Sequence, residues 1–475
     1  MNRRSQAWLW LGVFSLAGIA LAHFYPDSYQ QDGGHHYLFA RAAWKHHSMF
    51  VGVWSRPLFT FVYAFPAMLG YPAAKLFTVF ICILTALQTY RIAEDLGLER
   101  APLAIPMLFL QPSFFLLSAD TMTEPIFALV FAIALRLHLK GRIAAGMIVA
   151  SLMVLARPEG FFLGILWGMW VLLDKRGPAS LWRRLPGVLL LAVGAAVWWL
   201  AALVITGDPL FIKHNWPPNW SATEATYGTG SIATYLIRLP EIAGPLFCVV
   251  FLFGLALLLA RRQMGTVTSA FVALFVVHSF LRVFGLFGSA GYPRYFVCVA
   301  PAIALITLAG WNEIAHWLTR GSRHVATATA VAVFFVSAAF AVSYADAAIF
   351  VRDAHAIQEM YAWFLANPKP VSKLVWSQAY MCILFDGDIR EKPPFTNDKE
   401  ANLARLQRFP PNTLIFWDGE TGPSWYGIKA DDLEQAGFTR LRSKSYSLEG
   451  LLIKRWWFHD WGPRKQEMHL FYKAQ

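Results

Sequence analysis

The sequence predicts a polytopic α-helical membrane protein with about eleven transmembrane helices and a small C-terminal α/β domain outside the membrane. Hydrophobic residues make up 57% of the 475 residues, and aromatic residues make up 16%. A soluble protein of this length cannot bury that much apolar surface. After residue 345 the composition changes to that of a soluble chain.

Long hydrophobic runs define the candidate spans. They cover 8–24, 72–91, 103–118, 125–139, 143–156, 160–173, 186–205, 242–260, 267–287, 295–312 and 324–344. A crossing helix needs about 20 apolar residues, so several of these runs are short. The runs on either side of Arg157 are either two short spans that meet at a break or one long kinked helix, and Pro158, which lacks a backbone N–H, favours a break. The apolar segment 57–69 is short and contains a proline, which favours a re-entrant or interfacial helix.

Basic residues in alternate short loops predict the orientation. They are Arg3, Arg4, Arg91, Arg100, Lys140, Arg142, Lys175, Arg176, Arg183, Arg184, Arg261, Arg262, Arg320 and Arg323. The positive-inside rule places these residues and the N-terminus in the cytoplasm. The formal charge of +12 is then explained without nucleic acid as a partner. We expect a multi-pass protein of the cytoplasmic (inner) membrane.

The predicted domains are a membrane domain, 1–345, and a soluble extracytoplasmic domain, 346–475. Residues 25–71 form the first extracytoplasmic loop, with interfacial helices. In the soluble domain, IQEMYAWFLANP and DDLEQAGF read as helices, and KLVWSQ, NTLIFWD, LLIKRWWF and EMHLFYKA read as strands. This alternation predicts a small α/β fold.

The first outward loop contains Asp32, followed by two glycines and a helical-looking segment. One interpretation is that Asp32 caps this helix at a water-exposed border. The other is that its carboxylate serves as a general base, which must lie within hydrogen-bond distance of the hydroxyl that it deprotonates. The loop by itself favours neither interpretation.

Arg56 precedes Pro57 at the end of the first loop, and Arg294 lies in the motif GYPRY. A guanidinium group can bind two phosphate oxygens and offset the charge of a departing phosphate. The alternative is that each arginine extends from a helix end toward water. Because both residues fall on the same predicted face as Asp32, we interpret them as candidate phosphate ligands.

Two further motifs carry ionisable residues at the same face. Asp120 and Glu124 lie in SADTMTEP, and Arg157 and Glu159 lie in ARPEG. Glu124 fits the N-terminus of a helix, where the dipole favours a carboxylate. Burial of Arg157 and Glu159 at membrane depth is costly, so either mutual pairing across a helix break or substrate contact must compensate.

The long outward loop 207–240 offers Lys213, His214 and Tyr227 as candidate acceptor or sugar contacts. Trp216 and Trp220 in the same loop are typical of an interfacial aromatic belt. The pairs His35/His36 and His46/His47 suggest a metal site, but adjacent residues point to different faces of a helix. The four cysteines show no metal-type spacing. We expect no cofactor, with a divalent metal as the alternative.

The order of these motifs resembles the GT-C superfamily of polyprenyl-phosphate-sugar-dependent glycosyltransferases. SRPLF, TEP, ARPEG and PRYF follow the first-loop Asp in that order, and a soluble C-terminal domain ends the chain. Within the superfamily the pattern is most similar to family 39, the bacterial relatives of protein O-mannosyltransferases and aminoarabinose transferases. The resemblance covers about residues 8–345.

The resemblance implies an inverting transfer of a hexose or pentose to an acceptor hydroxyl outside the membrane. It implies that Asp32 is the base and that Arg56 contacts the donor phosphate. Many relatives carry Asp-Glu where this chain has Asp32-Gly33, so Asp120 or Glu124 would supply the second acid. Asp27 remains an alternative to Asp32 as the base. The implied partners are a polyprenyl-phosphate-linked sugar, the bilayer, and an acceptor protein, lipid or glycan.

Two other functions remain open from the sequence. A secondary transporter or lipid flippase would also place ionisable residues such as Arg157 and Glu159 in the membrane. Transporters tend to contain paired repeats with interrupted helices, and this sequence has no second copy of such a segment. A ligase that uses pyrophosphate-linked glycans would share most of the features described above.

Overall fold

A computed structural model describes residues 2–25, 31–174, 181–217, 220, 227–348, 351–391, 395–396, 398–419, 421–448 and 464–474. The chain divides into two compact units. The first contains Met1–His23 and Ala43–Ala345, and the second contains Phe24–Ala42 and Asp346–Gln475. The predicted first loop, 25–71, is divided between the units: Phe24–Ala42 groups with the C-terminal part, and the residues from Ala43 onward group with the membrane part.

The described residues of the first unit form helices joined by turns and loops, with no strand among them. Its α-helices are Arg3–Phe24, Pro57–Met68, Tyr71–Asp95, Ala104–Phe109, Pro112–Leu117, Glu124–Leu139, Ile143–Ser151, Met153–Ala156, Glu159–Leu173, Leu181–Val188, Val193–Thr206, Phe211–His214, Thr234–Ile237, Leu239–Ala243, Phe247–Ala260, Gly265–Phe284, Ala300–Gly321 and the start of Arg323–Ala348. Short 3₁₀ helices are His47–Phe50, Ala101–Leu103, Leu189–Ala192, Leu286–Gly288 and Pro293–Val299. The predicted helix at 57–69 is present.

Six helical segments of the described chain are long and apolar enough to cross a membrane. They are Arg3–Phe24, Tyr71–Asp95, Leu189–Thr206, Gly265–Phe284, Pro293–Gly321 and His324–Ala345. Shorter apolar helices are Pro57–Met68, Ile143–Ala156, Glu159–Leu173 and Phe247–Ala260. These segments confirm a polytopic membrane protein, while the number of about eleven spans stays a prediction.

The run 103–118 is not the single helix that its hydrophobicity predicts. It forms two short helices, Ala104–Phe109 and Pro112–Leu117, on either side of an extended Gln111. Pro112 disfavours the helical conformation of the residue before it, which explains the break. The side-chain amide of Gln111 donates to the carbonyl oxygens of Met107 at 3.2 Å and Ala300 at 3.0 Å. The run is buried throughout, so its apolar residues fill the interior of the unit.

The break predicted beside Pro158 is confirmed. Helix Met153–Ala156 ends at Arg157, whose backbone is extended, and the next helix begins at Glu159. Gly160 allows the two helices to approach closely, because a Cβ atom there would lie 2.3 Å from the backbone nitrogen of Val154. The chain therefore changes direction at a charged tripeptide.

The second unit contains a four-stranded sheet with the order β1-β2-β4-β3. The strands are β1 (Lys373–Trp376), β2 (Thr413–Asp418), β3 (Thr439–Leu448) and β4 (Arg464–Lys473). β1 is parallel to β2, and the other two pairs are antiparallel. The helices are Asp32–Ala42, Val351–Ala366, Ala379–Leu384, Lys399–Gln407, Thr421–Tyr426 and Ala430–Gln435, besides a 3₁₀ turn at Ile389–Glu391. Its core contains Val375, Leu406, Ile415, Trp417, Ile428, Leu433, Phe438 and Phe471.

Most of the predicted elements of the second unit are confirmed. β1, β2, β4 and the helices at IQEMYAWFLANP and DDLEQAGF occur where the sequence predicts them. The strand predicted for LLIKRWWF lies outside the described residues. β3 was missed because it alternates polar and basic residues without an apolar face, and it is stabilised by pairing with β4.

Helix Asp32–Ala42 belongs to the second unit because both of its ends are bonded there. The side chain of Gln31 accepts a hydrogen bond from the backbone N–H of Ala379 and donates one to the Thr421 hydroxyl, each at 3.3 Å. At the other end, Nη1 of Arg41 lies 2.6 Å from a carboxylate oxygen of Asp386. These are long-range contacts that sequence periodicity does not reveal.

Candidate functional site

The structure brings TEP and ARPEG together in a buried ionic cluster. Nη1 of Arg157 lies 2.8 Å from Oε1 of Glu124, and its Nη2 lies 2.8 Å from Oε1 of Glu159. Nε of Arg157 donates to Oε2 of Glu159 at 3.1 Å, and Nη1 also donates to the Thr123 hydroxyl. A bidentate contact of this kind fixes the guanidinium plane. The mutual pairing of Arg157 and Glu159, one of the two interpretations of ARPEG, is present, and Glu124 joins it.

Local structure explains why these carboxylates meet at one guanidinium. Glu124 is the first residue of helix Glu124–Leu139, and Glu159 is the first residue of helix Glu159–Leu173. Both carboxylates therefore lie at the positive end of a helix dipole. Arg157 lies in the link between helices Met153–Ala156 and Glu159–Leu173, and its guanidinium group lies between the two carboxylates. The cluster joins three helical segments.

Arg294 approaches the same cluster from the 3₁₀ helix Pro293–Val299. Its Nε lies 3.8 Å from Oε1 of Glu124, and its Nη1 lies 3.5 Å from the sulfur of Met122. The guanidinium carbon also lies 5.1 Å from the ring centroid of Tyr292. The exposed fraction of each ionic residue is small: 0% for Glu124, 6% for Glu159, and 7% for Arg157 and Arg294. Two carboxylates and two guanidinium groups thus share a buried site.

Arg56 lies in the first unit at the start of helix Pro57–Met68, with a left-handed φ of 61°. Its guanidinium carbon lies 4.6 Å from the ring centroid of Trp220 and 5.6 Å from that of Trp54. Such stacking holds a guanidinium group by cation–π attraction. Helix Pro57–Met68 packs against Met153–Ala156, the helix that ends at Arg157. The two predicted phosphate ligands therefore lie in the same unit.

Three residues of the loop 207–240 are the predicted acceptor or sugar contacts. His214 is exposed, and its Nδ1 lies 2.8 Å from a carboxylate oxygen of Asp208. That hydrogen bond holds the pKa of Asp208 below its ordinary value. Lys213 and Tyr227 are also exposed, and the carbonyl oxygen of Tyr227 accepts a hydrogen bond from Arg282. Trp216 and Trp220 pack on an apolar cluster, in keeping with the aromatic belt.

The candidate base Asp32 is half-buried and begins its helix in the second unit. It lies in the first turn of the helix, where the helix dipole favours a carboxylate, and the capping and catalytic interpretations both stay predictions. Asp27, the alternative base, lies outside the described residues. Asp120, the candidate second acid, is 2% exposed in the first unit.

Two buried ionisable residues were overlooked in the sequence because they lie inside hydrophobic runs. Lys75 is 2% exposed in helix Tyr71–Asp95, with its ammonium nitrogen 5.3 Å from the ring centroid of Tyr71. His278 is 4% exposed, stacks on Tyr295 and has Nε2 3.8 Å from Oε1 of Glu159. An ionisable residue within a span was the available signal, since its burial requires compensation.

The metal hypothesis gains no support from the histidine pairs. Nδ1 of His35 lies 2.9 Å from the carbonyl oxygen of Gln31, and its ring lies against Trp376. Among the residues that the structure describes, no group of three or more His, Cys, Asp and Glu could hold a metal ion. The four cysteines are free thiols.

The structure is similar to two crystal structures of ArnT from Cupriavidus metallidurans, one bound to undecaprenyl phosphate and one in the apo state. Each comparison gives a TM-score of 0.60 at 14% sequence identity and covers 97% of both chains. A cryo-EM structure of the arabinofuranosyltransferase AftD from Mycobacteria gives a TM-score of 0.48 at 14% identity, covering all of this chain and 40% of that one. The sequence matches no protein-family model and no curated protein.

Identity this low supports a statement about fold. The chain has a fold similar to that of ArnT, and the likeness extends over both the membrane helices and the C-terminal part. The class of protein is thus a multi-pass membrane protein with an ArnT-like fold.

Proposed function

We propose that this protein is a membrane glycosyltransferase that moves a sugar from a polyprenyl-phosphate carrier to an acceptor hydroxyl. The observation that carries the proposal is the buried cluster of Glu124, Arg157, Glu159 and Arg294 in a fold shared with a structure that binds undecaprenyl phosphate. Buried ionisable groups in a membrane protein are expensive and point to function.

The donor is an anion with a long apolar tail, and the proposed ligands fit that chemistry. As the glycosidic bond breaks, negative charge develops on the departing phosphate. Arg294 and Arg56 supply guanidinium groups that would stabilise this charge more strongly in the transition state than in the bound donor. Both guanidinium groups lie against aromatic rings, which limits their motion before the donor binds.

Arg157 has a supporting role in this proposal. Its guanidinium group is already engaged by two carboxylates and a hydroxyl. It therefore neutralises Glu124 and Glu159 and holds the ends of their helices, while Glu124 also contacts Arg294 at 3.8 Å. The cluster would fix the surroundings of Arg294 and leave donor contact to that residue.

The proposed reaction is inverting and takes place on the extracytoplasmic face of the inner membrane. Asp32 accepts the proton of the acceptor hydroxyl, whose oxygen attacks the anomeric carbon while the polyprenyl phosphate departs. The sugar is a mannose-like hexose or a pentose. Lys213, His214 and Tyr227 are proposed acceptor or sugar contacts. No metal takes part in this scheme.

The deciding experiment incubates the purified protein, reconstituted in nanodiscs, with a lipid-linked sugar and measures released polyprenyl phosphate. We expect release in the presence of an acceptor. A transporter or flippase would move the lipid without cleaving it, so intact donor after prolonged incubation contradicts the proposal.

The role of Asp32 is tested by Asp32→Asn, with Asp431→Asn as the matched control because Asp431 is exposed in the same unit. We expect the Asp32 variant to bind donor normally and to lose transfer by roughly 100-fold or more, while the control stays active. Near-normal turnover by Asp32→Asn would exclude it as the base and return attention to Asp27.

A further inference from the structure

One guanidinium nitrogen of Arg282 donates hydrogen bonds to backbone carbonyl oxygens of two separate segments. It lies in the last turn of helix Gly265–Phe284. Its Nη1 donates to the carbonyl oxygens of Tyr227 and Gly228, each at 3.2 Å, and of Ser289 at 3.0 Å. Its own carbonyl oxygen accepts from the backbone N–H of Gly230 at 2.9 Å. The side chain therefore joins residues 227–230 to the turn that follows its helix.

Two glycines leave room for the arginine where these segments pass it. A Cβ atom at Gly230 would lie 2.3 Å from Nε of Arg282, so an alanine there would displace the arginine side chain. At Gly291, where φ is +75°, a Cβ atom would lie 3.2 Å from the same nitrogen. The two glycines therefore make room for the guanidinium group, which also bonds Ser289. We call Arg282, Gly230, Ser289 and Gly291 the Arg282 clamp.

The clamp lies directly before a proposed donor ligand in the chain. Gly291 precedes Arg294 by three residues, and Pro293 stiffens the intervening backbone by fixing its own φ. Ser289 is buried, so the hydrogen bond to its carbonyl oxygen stabilises the turn against leaving that position. Fixing Ser289 and Gly291 therefore restricts the direction from which Arg294 enters the ionic cluster.

We propose that Arg282 is a positioning residue for donor binding, acting through Arg294. The inference rests on the proposed function, because it assigns Arg282 a role in holding the ligand of the donor phosphate. Arg282 itself does not contact the donor. Its guanidinium group secures backbone carbonyl oxygens, and the benefit appears in the preorganisation of the neighbouring arginine.

The test measures the affinity for undecaprenyl phosphate of the full-length protein in nanodiscs. We expect Arg282→Ala to weaken it by roughly 10- to 100-fold, the range for a displaced ligand group. Gly230→Ala and Gly291→Ala should weaken it similarly, although both retain the positive charge. Gly265→Ala, at the start of the same helix with open space around its Cβ position, is the matched control and should bind normally.

A double variant distinguishes positioning from general loss of structure. If Arg282 acts through Arg294, then adding Arg282→Ala to Arg294→Ala should cause no further loss of affinity, because two changes that remove the same contact with the donor are not additive. Fully additive losses would overturn the inference. So would normal affinity in all three clamp variants.

Hydrogen exchange at residues 285–299 provides a readout that does not depend on the donor. We expect faster exchange there in Arg282→Ala and Gly230→Ala than in the wild type, and unchanged exchange would contradict the clamp. If the wild-type protein binds no undecaprenyl phosphate, the proposed function fails, and the donor role of Arg282 fails with it. Normal wild-type binding with normal clamp variants overturns only the inference.

Discussion

Two clusters of buried polar groups, one in each unit, are satisfied in different ways. In the first unit, the carboxylates of Glu124 and Glu159 are neutralised by the guanidinium of Arg157. In the second unit, buried Asn402 is satisfied by neutral groups: its amide donates to the carbonyl oxygens of Thr396 and Tyr426. The first arrangement is a buried cluster of opposite charges, whereas the second is a neutral hydrogen-bond network. Removing one partner should therefore cost far more in the first unit.

This difference also bears on whether the ionic cluster is kept for stability or for function. A soluble fold rarely needs four buried charges to hold three helices together, because neutral caps serve at lower cost. The first unit keeps the charges, and the helix ends that carry them are those predicted to face one side of the membrane. The comparison thus supports a functional reason for the ionic cluster. The contribution of the cluster to the free energy of unfolding can be measured.

The largest effect is expected from Arg157→Met. The substitution leaves two buried carboxylates without their shared guanidinium, which should lower the free energy of unfolding by about 3–5 kcal/mol. Thermal unfolding in detergent, followed by tryptophan fluorescence, measures the change. Arg261→Met is the control, because Arg261 pairs with Glu313 at an exposed position and should cost at most about 1 kcal/mol. Equal effects of the two substitutions would remove the distinction between the ionic cluster and a surface ion pair.

A smaller effect is expected where two membrane helices cross. Gly254 of helix Phe247–Ala260 faces Gly310 of helix Ala300–Gly321, and a Cβ atom at Gly310 would lie 2.4 Å from the carbonyl oxygen of Val250. Small residues let membrane helices approach closely. Gly310→Leu should therefore destabilise the protein by about 1–3 kcal/mol.

The same thermal assay with Gly164→Leu serves as the control for the helix crossing. Gly164 has open space around its Cβ position. A loss of stability at Gly164 as large as that at Gly310 would show that hydrophobic bulk, and not the crossing, causes the effect.

The sequence predicts those features that local chemistry determines. The membrane class follows from hydrophobic runs, the break at Arg157 from Pro158, and strands β1, β2 and β4 from short apolar segments. The order of charged motifs along alternate loops also predicts that TEP, ARPEG and PRYF lie on one face. Their meeting in the ionic cluster is consistent with that prediction.

Features that depend on distant partners could not be predicted in this way. β3 lacks an apolar face and is recognisable only through its pairing with β4. The grouping of helix Asp32–Ala42 with the second unit depends on Gln31 and Arg41, whose bonding partners lie more than three hundred residues away. Lys75 was hidden because the surrounding run is apolar, and its burial becomes visible only once the helices pack.

In the second unit, Asn402→Ala tests the neutral network. Asn402 is fully buried. The substitution removes the side-chain amide that bonds the carbonyl oxygens of Thr396 and Tyr426 and the backbone N–H of Thr396. We expect a loss of about 1–3 kcal/mol, below that of Arg157→Met. Because the change falls in the second unit, the protection of its amide hydrogens in the full-length protein is the appropriate measurement.

Asn367→Ala is the control for the neutral network, since Asn367 is exposed and makes a single side-chain bond to Trp363. A cost at Asn402 equal to that of Arg157→Met would contradict the contrast drawn between the two units. A cost equal to that of Asn367→Ala would show that the network contributes little.

The smallest effect concerns pH and His469 in β4. Burial lowers the pKa of His469 below its ordinary value of 6.5, and the positive charge of Arg440 adds to this. Between the lowered pKa and 6.5 the unfolded chain binds more protons than the folded one, so stability falls as the pH drops below about 6.5 and is fully present above it. His469→Gln should flatten this dependence, and exposed His355→Gln should not. The comparison requires hydrogen exchange of β3 and β4 corrected for the intrinsic effect of pH. If His469→Gln keeps the wild-type slope, the titration of His469 does not cause the pH dependence, and another group of the second unit must carry it.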